Sequence, residues 1–563
     1  MEHRFDQTTP PSLLWLSDHP RASGSQGLTD QQALDLGLDV LVRALDWDGQ
    51  HARFVRATLL TLVRDPAVIA YRQAILADLA TDAPWAEQLR TALGALLPSL
   101  AELSRPRSAP WAQDSPLLLV PPRVSDLELY VSCVEQLHRA LAAAIALQSD
   151  GLRRLRAFIA AAHDDPEFQR LAAELPRLRA QLDQIGSVTL GINLDRDLRP
   201  ASATLLDISR DQFASPPSLI QRLLGRTPPN TPAPLTALRQ LTERSPDADP
   251  LAHDLQKVLG EVVEPVAQAL ERYQRIHARP LATLEPELAL YLGAIQFAQR
   301  LAAQRQPTCL PAIDPAQHTL AEAYNPALAI QLVQSASQSA APLAALVRNP
   351  IDFSQGRIVV LTGPNRGGKT TYLRAVGLNQ VLFQAGLVVA AASAQLAPVD
   401  AILTHFPPVE GVEPGVGRLD DEARRLREMF AAATPASLLL FNEPLTSTGE
   451  AEAHALAEDV LRALRLLGAR TVYVTHLHAL AAELPALNRG PGATVASWVA
   501  GVDDSAGRTY RIRPGRPEAR SHAATIAEQH GITFTQLARQ LAERGVVADE
   551  SEPAAQPPLS RSP

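Results

Sequence analysis

Residues Arg357 to Arg374 read RIVVLTGPNRGGKTTYLR, so that an aliphatic run, Ile358 to Leu361, enters Gly363-x-x-x-x-Gly368-Lys369-Thr370 and passes into a helical pattern. This is the spacing of a phosphate-binding loop in the strand-to-helix context that its chemistry requires. The glycines let backbone N–H groups converge on phosphate oxygens, Lys369 brings a point charge to the β and γ phosphates, and Thr370 offers a hydroxyl to Mg²⁺. The N-terminus of the following helix already favours an anion. ATP or GTP is the expected ligand. The chain has only two lysines, Lys257 and Lys369, among 52 Lys and Arg residues. Arginine is used almost everywhere except where the loop calls for a compact ammonium.

Two later segments supply the rest of a phosphoryl-transfer site. Ser437 to Glu443, SLLLFNE, reads as a buried strand ending in Asn442-Glu443, where P-loop ATPases usually carry Asp-Glu. Glu443 is the expected group that orients or deprotonates an attacking water, and Asn442 stands on the metal side with one negative charge fewer than usual. Thr471 to His476, TVYVTH, reads as another strand delivering a histidine. From 341 to 545 β runs alternate with helices, the pattern of an α/β ATPase core.

The elements ahead of this core read as mostly helical. Residues 1–27 and 546–563 mix Pro, Ser, Gly and charge without period and are expected to be disordered tails. Residues 28–125 read as a helical core domain, with Leu34, Leu38, Leu41 and Leu45 in one stripe and Asp65-Pro66 opening a further helix. The proline-rich stretch Arg105 to Arg123 reads as a connector, with helical pattern resuming from Asp126. Residues 126–340 form a helical lever region in which Ser187 to Asp195 and Ala203 to Ile208 alternate as a small hairpin. Two long helices are expected there, about Leu251 to His277 and Leu281 to Gln304. The fold class is therefore multidomain, an all-α core and lever region with a β-hairpin followed by an α/β P-loop domain.

Composition narrows the partners. A net charge of -8 argues against a general polyanion-binding surface, so any DNA contact must come from a local arginine-rich face such as Arg153-Arg154 or Arg424-Arg425. Cys133 and Cys309 show no metal-ligand spacing and fit a reducing compartment. The chain carries neither a secretory start nor a membrane-length apolar run, so a soluble, cytoplasmic protein is expected.

The motifs, taken in order, resemble the MutS family. Its phosphate loop, GPN-x-GGK(S/T)T-Y-x-R, is matched by Gly363-Pro364-Asn365-Arg366-Gly367-Gly368-Lys369-Thr370-Thr371-Tyr372-Leu373-Arg374. Its TH-x-H-x-L segment is matched by Thr475, His476, His478 and Leu480, and its closing helix is similar to Ser521 to Ala527 with Gly531-Ile532. The family's Ser-Thr-Phe-x-x-Glu pattern is met only loosely, by Gly417-Arg418-Leu419-Asp420-Asp421-Glu422.

The resemblance implies an ATP- and Mg²⁺-dependent ATPase, slow because of Asn442, that forms a homodimer and binds DNA as a nucleotide-controlled clamp. It implies that Gly363 to Thr371 cradle the phosphates, with Asn365 near the γ-phosphate and Thr370 and Asn442 on the metal. It further implies that His476 senses the γ-phosphate, that Gly417 and Arg418 reach the partner subunit's nucleotide, and that Asn349 meets the adenine. A Gly-Asp-Phe-Tyr-Glu-like wedge segment is missing, so mismatch reading of that kind is not expected, nor is an appended nuclease domain. The alternative is a non-hydrolysing, ATP-dependent dimeric scaffold. A transporter-type subunit is disfavoured, because the sequence has no Leu-Ser-Gly-Gly-Gln-like signature and its helical region has no membrane character.

Overall fold

The computed structural model describes residues 9–16, 27–105, 120–184, 187–194, 196–197, 200–211, 263–270, 273, 278–336, 346–407, 417–502, 508–516 and 530–544. Its contacts divide the chain into two compact units, one of residues 1–21, 46–54 and 70–296 and the other of residues 22–45, 55–69 and 297–563.

In the first unit, helices α5 (Pro84–Ser104), α6 (Val120–Ala143), α7 (Asp150–His163) and α8 (Pro166–Leu182) follow one another along the chain. Val120, Val124 and Leu127 of α6 share a core with Leu171, Leu175 and Leu178 of α8 and with Val263, Val266 and Leu270. These are i, i+3/i+4 stripes, so each helix buries one face. α6 starts at Val120, six residues ahead of the expected Asp126, and the proposed boundary at 125/126 falls within it. Pro121 and Pro122 lie in its first turn, where N–H groups have no intrahelical acceptor and proline costs little. The hairpin is present as β1 (Ser187–Leu194) and β2 (Pro200–Ser209), antiparallel from Ser187 opposite Ser209. Of the expected helix at 251–277, residues 263–270 are helical and the greater part lies outside the described residues. The second long stretch is a 3-10 turn, Arg279–Thr283, leading into α9 (Leu284–Ala303).

Residues 9–16, assigned by composition to a disordered tail, are instead docked within this unit. Leu13 and Leu14 are buried. Tyr71 Oη donates to Ser12 O and Tyr291 Oη to Leu13 O, each at 2.7 Å, while Glu287 accepts from Ser12 Oγ and Leu13 N. Buried hydroxyls that need acceptors and two leucines that need a core outweigh the polar composition around them. His51 forms a second tie. Its Nδ1 lies 2.8 Å from Asp48 Oδ1 and its Nε2 2.5 Å from Glu285 Oε1. Burial opposes its charge, yet hydrogen bonding and charge attraction from Glu285 and Asp48 prevail and raise its pKa above 6.5.

The second unit holds a six-stranded sheet and a four-stranded one. The larger has the order β12-β11-β6-β10-β9-β8, formed by β6 (Ile358–Thr362), β8 (Ile402–His405), β9 (Leu438–Asn442), β10 (Arg470–Val474), β11 (Val495–Val502) and β12 (Arg508–Pro514). Its pairings are parallel except β11 with β12. The smaller joins β3 (Ala312–Ile313), β4 (Thr319–Ala323), β5 (Asn349–Asp352) and β7 (Ser393–Leu396). Ile358, Val360, Leu439, Phe441 and Tyr473 meet Leu461 and Leu464 of α13 (Glu450–Leu467) and Leu480 and Leu484 of α14 (His478–Leu487) in one core. Strands buried this thoroughly account for the unbroken aliphatic runs in the sequence.

Helix α11 (Lys369–Gln384) leaves the phosphate loop and is buried along most of its length. Gly377 lets it pass close to its neighbours, since a Cβ there would lie 2.5 Å from Leu36 Cδ2 and 3.0 Å from Leu440 Cδ1. Leu36 belongs to α1 (Asp30–Leu36), which begins with a capping box between Thr29 and Gln32. The residues expected as one helical domain at 28–125 thus divide between the two units. α10 (Pro326–Ala336) and α12 (Arg418–Ala432) also belong to this unit, and α15 (Phe534–Glu543) is the last described helix. No helix among the described residues is long and apolar enough to cross a membrane. Cys133 and Cys309 are free thiols.

Candidate nucleotide site

β6 delivers the phosphate loop at the middle of the parallel sheet, where strand ends open a crevice. The loop turns through Gly363 at φ 141°, Arg366 at φ 60° and Gly368 at φ 89°. Gly367 N donates to Pro364 O at 3.1 Å and closes the turn. Glycine accommodates such angles, while a left-handed arginine marks backbone held in place by its surroundings.

Lys369 is 4% exposed and folded over the loop. Its Nζ donates to Gly363 O at 2.9 Å and Pro364 O at 3.1 Å, and lies 3.3 Å from Glu443 Oε1. Thr370 Oγ1 donates to Asn442 Oδ1 at 3.1 Å. Glu443 itself has φ 52° and donates its N–H to Val474 O at 2.9 Å, so the end of β9 turns its carboxylate toward the loop. Four side chains drawn from two separate segments therefore converge within hydrogen-bonding or ion-pair range.

Lys369, Thr370 and Glu443 form the floor of a cavity of about 410 Å³ bounded also by Arg366, Gly367, Gly368, Thr371, Asn349 and Tyr510. The remaining wall is largely apolar and comes from Tyr324, Leu328, Leu332, Leu346 and Val347. That volume suits a small-molecule ligand. Gly363 and Pro364 reach this arrangement through Lys369, and Asn442 through Thr370. Asn365 is exposed on the loop. His476, Gly417 and Arg418 are exposed and do not line this cavity. Ser521 to Ala527 lie outside the described residues.

Asn349 lines the cavity, but both ends of its amide are engaged. Nδ2 donates to Tyr510 O at 3.0 Å and Oδ1 accepts from Ile512 N at 2.7 Å. Sequence reasoning missed Tyr510, Tyr324 and the leucine wall. A lone tyrosine in TYRIR at the far end of the domain carries no motif, and only the sheet order brings it to the loop.

Known protein families match two segments of this chain. The MutS2 N-terminal domain family matches residues 64–304 and MutS domain V matches residues 359–539. The chain is MutS-related. The second match spans the phosphate loop, Asn442-Glu443 and His476. A DNA mismatch repair protein MutS 2 of Halobacterium salinarum is 34% identical over 200 residues, which make up 34% of this chain and 22% of that protein. An Endonuclease MutS2 of Thermomicrobium roseum is 35% identical over 195 residues, 34% of this chain and 24% of the relative. A DNA mismatch repair protein MutS of Streptococcus equi is 32% identical over 197 residues, 34% of this chain and 23% of its own. The matched part of this MutS-related chain thus spans under a quarter of the length of each of these relatives.

Proposed function

We propose that the chain is an ATPase that works as a homodimer on DNA, taking ATP and Mg²⁺ and using nucleotide state to control a DNA clamp or the binding of a DNA structure. The observation that carries this reading is the convergence of Lys369, Thr370 and Glu443 at the floor of one cavity, with Asn442 hydrogen-bonded to Thr370. Gly363 to Thr371 receive the phosphates, and Lys369 exchanges the carbonyls of Gly363 and Pro364 for phosphate oxygens. Asn365 lies beside the γ-phosphate. Thr370 and Asn442 present two adjacent neutral oxygens, a donor set that fits Mg²⁺. When bound, Mg²⁺ offsets the charge of the β and γ phosphates. Glu443 holds the attacking water in line and accepts its proton, and His476 reports on the γ-phosphate. Gly417 and Arg418 serve the nucleotide of the partner subunit. DNA as partner is supported by relatives whose names carry DNA mismatch repair.

The neutral Asn442 also favours a second reading, a non-hydrolysing scaffold that ATP closes into a dimer. Steady-state phosphate release with duplex, branched and single-stranded DNA separates the two. Slow release stimulated by one DNA class and lost in Glu443→Gln supports the ATPase. If wild type releases nothing with any DNA while both forms bind ATP alike, the scaffold reading replaces it.

A further inference from the structure

Resting on the reading of DNA as partner, we infer that the outer end of the six-stranded sheet is a binding surface for the DNA backbone, with Arg511 and Arg513 of β12 each meeting a phosphate. The contact is made to the sugar-phosphate chain of a duplex and carries no base sequence.

The two arginine pairs that stand out in the sequence are largely used up by the fold. Arg154 pairs with Asp150 at 2.6 Å. Arg424 is held between Asp421 at 2.5 Å and Glu428 at 3.0 Å, and Arg425 Nη2 donates to Phe406 O at 2.7 Å. A guanidinium already neutralised by its own helix has little charge left with which to release counterions from DNA. In a chain of net charge -8, a polyanion needs cations without such partners.

β12 carries them. It stands at the end of the sheet order, paired with β11. Successive residues of a strand point to opposite faces. Tyr510 lines the nucleotide cavity and Ile512 is buried, so Arg511 and Arg513 stand together on the other face, both exposed. Their surroundings on β11 are neutral: Arg513 lies opposite Val499, and Gly501 O accepts from the Thr509 hydroxyl at 2.8 Å. Arg516 is exposed just beyond the strand. Among the described residues no carboxylate pairs with any of these three arginines.

Residues two apart on a strand set their side chains ~6.7 Å apart. Duplex DNA carries one charge for every ~1.7 Å of its axis, so both guanidiniums find phosphates at once. Their planar forks match phosphate oxygens, and such contacts position a protein without reading bases.

The test follows binding of two duplexes of unrelated sequence by fluorescence anisotropy between about 50 and about 200 mM salt. Each phosphate contact contributes about 0.9 to the slope of log K against log salt, so Arg511→Gln with Arg513→Gln should make the slope shallower by about two, and each single substitution by about one. At ~0.15 M salt, with affinity at ~1 M unchanged, that is about a 30-fold loss, equal for both sequences. Arg511→Lys with Arg513→Lys keeps the charge and should keep the slope, and Arg424→Gln should leave it untouched. ATP binding followed by calorimetry should stay at the wild-type level in every variant, since Tyr510 and Ile512 face away from the substituted side chains. A wild-type slope that survives the double Gln substitution overturns the inference and leaves the arginines as charges that keep a sheet edge from pairing. A Lys variant as impaired as the Gln variant, or an equal loss of slope in Arg424→Gln, overturns it as well. A wild type that binds neither duplex even at about 50 mM salt removes DNA as the partner, and this surface with it.

Discussion

The most consequential single position is Asn442. Its Oδ1 already accepts from Thr370 Oγ1, so an aspartate of the same shape would fit the same bond and add a negative charge beside the proposed Mg²⁺. At ~4 Å and an effective dielectric of ~20 a unit-charge pair is worth about 4 kcal/mol before solvation and salt reduce it. Asn442→Asp is therefore expected to lower the Mg²⁺ concentration giving half-maximal phosphate release, with little change in ATP affinity. An unchanged Mg²⁺ dependence would remove Asn442 from the metal's surroundings. Lys369 belongs to the same scale: Lys369→Ala leaves the phosphate charge uncompensated in a nearly buried site and should abolish ATP binding measured by calorimetry. These residues were legible in the sequence because their chemistry is local, with loop, hydroxyl and strand-end carboxylate each announced by their immediate neighbours. Tyr510 was not, because its place beside Gly368 depends on β12 and β11 lying next to β6, and no short pattern encodes that order.

At the scale of elements the same division holds. β6, β9 and β10 could be read from their aliphatic runs, and the hairpin from its alternation. The start of α6 could not, since Pro121-Pro122 looks like a break unless the first turn is known to begin there. The tie of His51 to Glu285 spans 234 residues and has no sequence signature. It yields a pH prediction. Burial works against the imidazolium, but Glu285 and Asp48 raise its pKa above the ordinary ~6.5. The folded state therefore binds the proton more tightly than the unfolded chain. The stabilisation is fully present below about pH 6.5 and is lost as pH rises through the folded value. Melting temperature followed from about pH 6 to about pH 8.5 should fall for wild type from this contribution. Glu285→Gln should be less stable at the acid end and show a shallower fall. Parallel curves for the two proteins would mean that the ion pair contributes nothing.

At the scale of the whole molecule, the role proposed for Gly417 and Arg418 bears on assembly. Both are exposed at the start of α12, and neither lines the cavity that Lys369 and Glu443 floor. If Arg418 serves a γ-phosphate as proposed, that phosphate belongs to a second copy, and ATP would then be part of the subunit contact. Slowing hydrolysis should then trap the pair. Glu443→Gln with ATP and Mg²⁺ is expected to sediment as a dimer at micromolar concentration and as a smaller species without nucleotide. Adding Arg418→Ala should weaken the ATP-driven association while leaving ATP binding to each chain intact, because the guanidinium is absent from the chain's own cavity wall. A cationic contact to a triphosphate across an interface is also screened by salt, so the ATP-dependent association should loosen as ionic strength rises. If Glu443→Gln remains monomeric with and without ATP, Gly417 and Arg418 are no more than the exposed start of a helix, and nucleotide control must act within one chain.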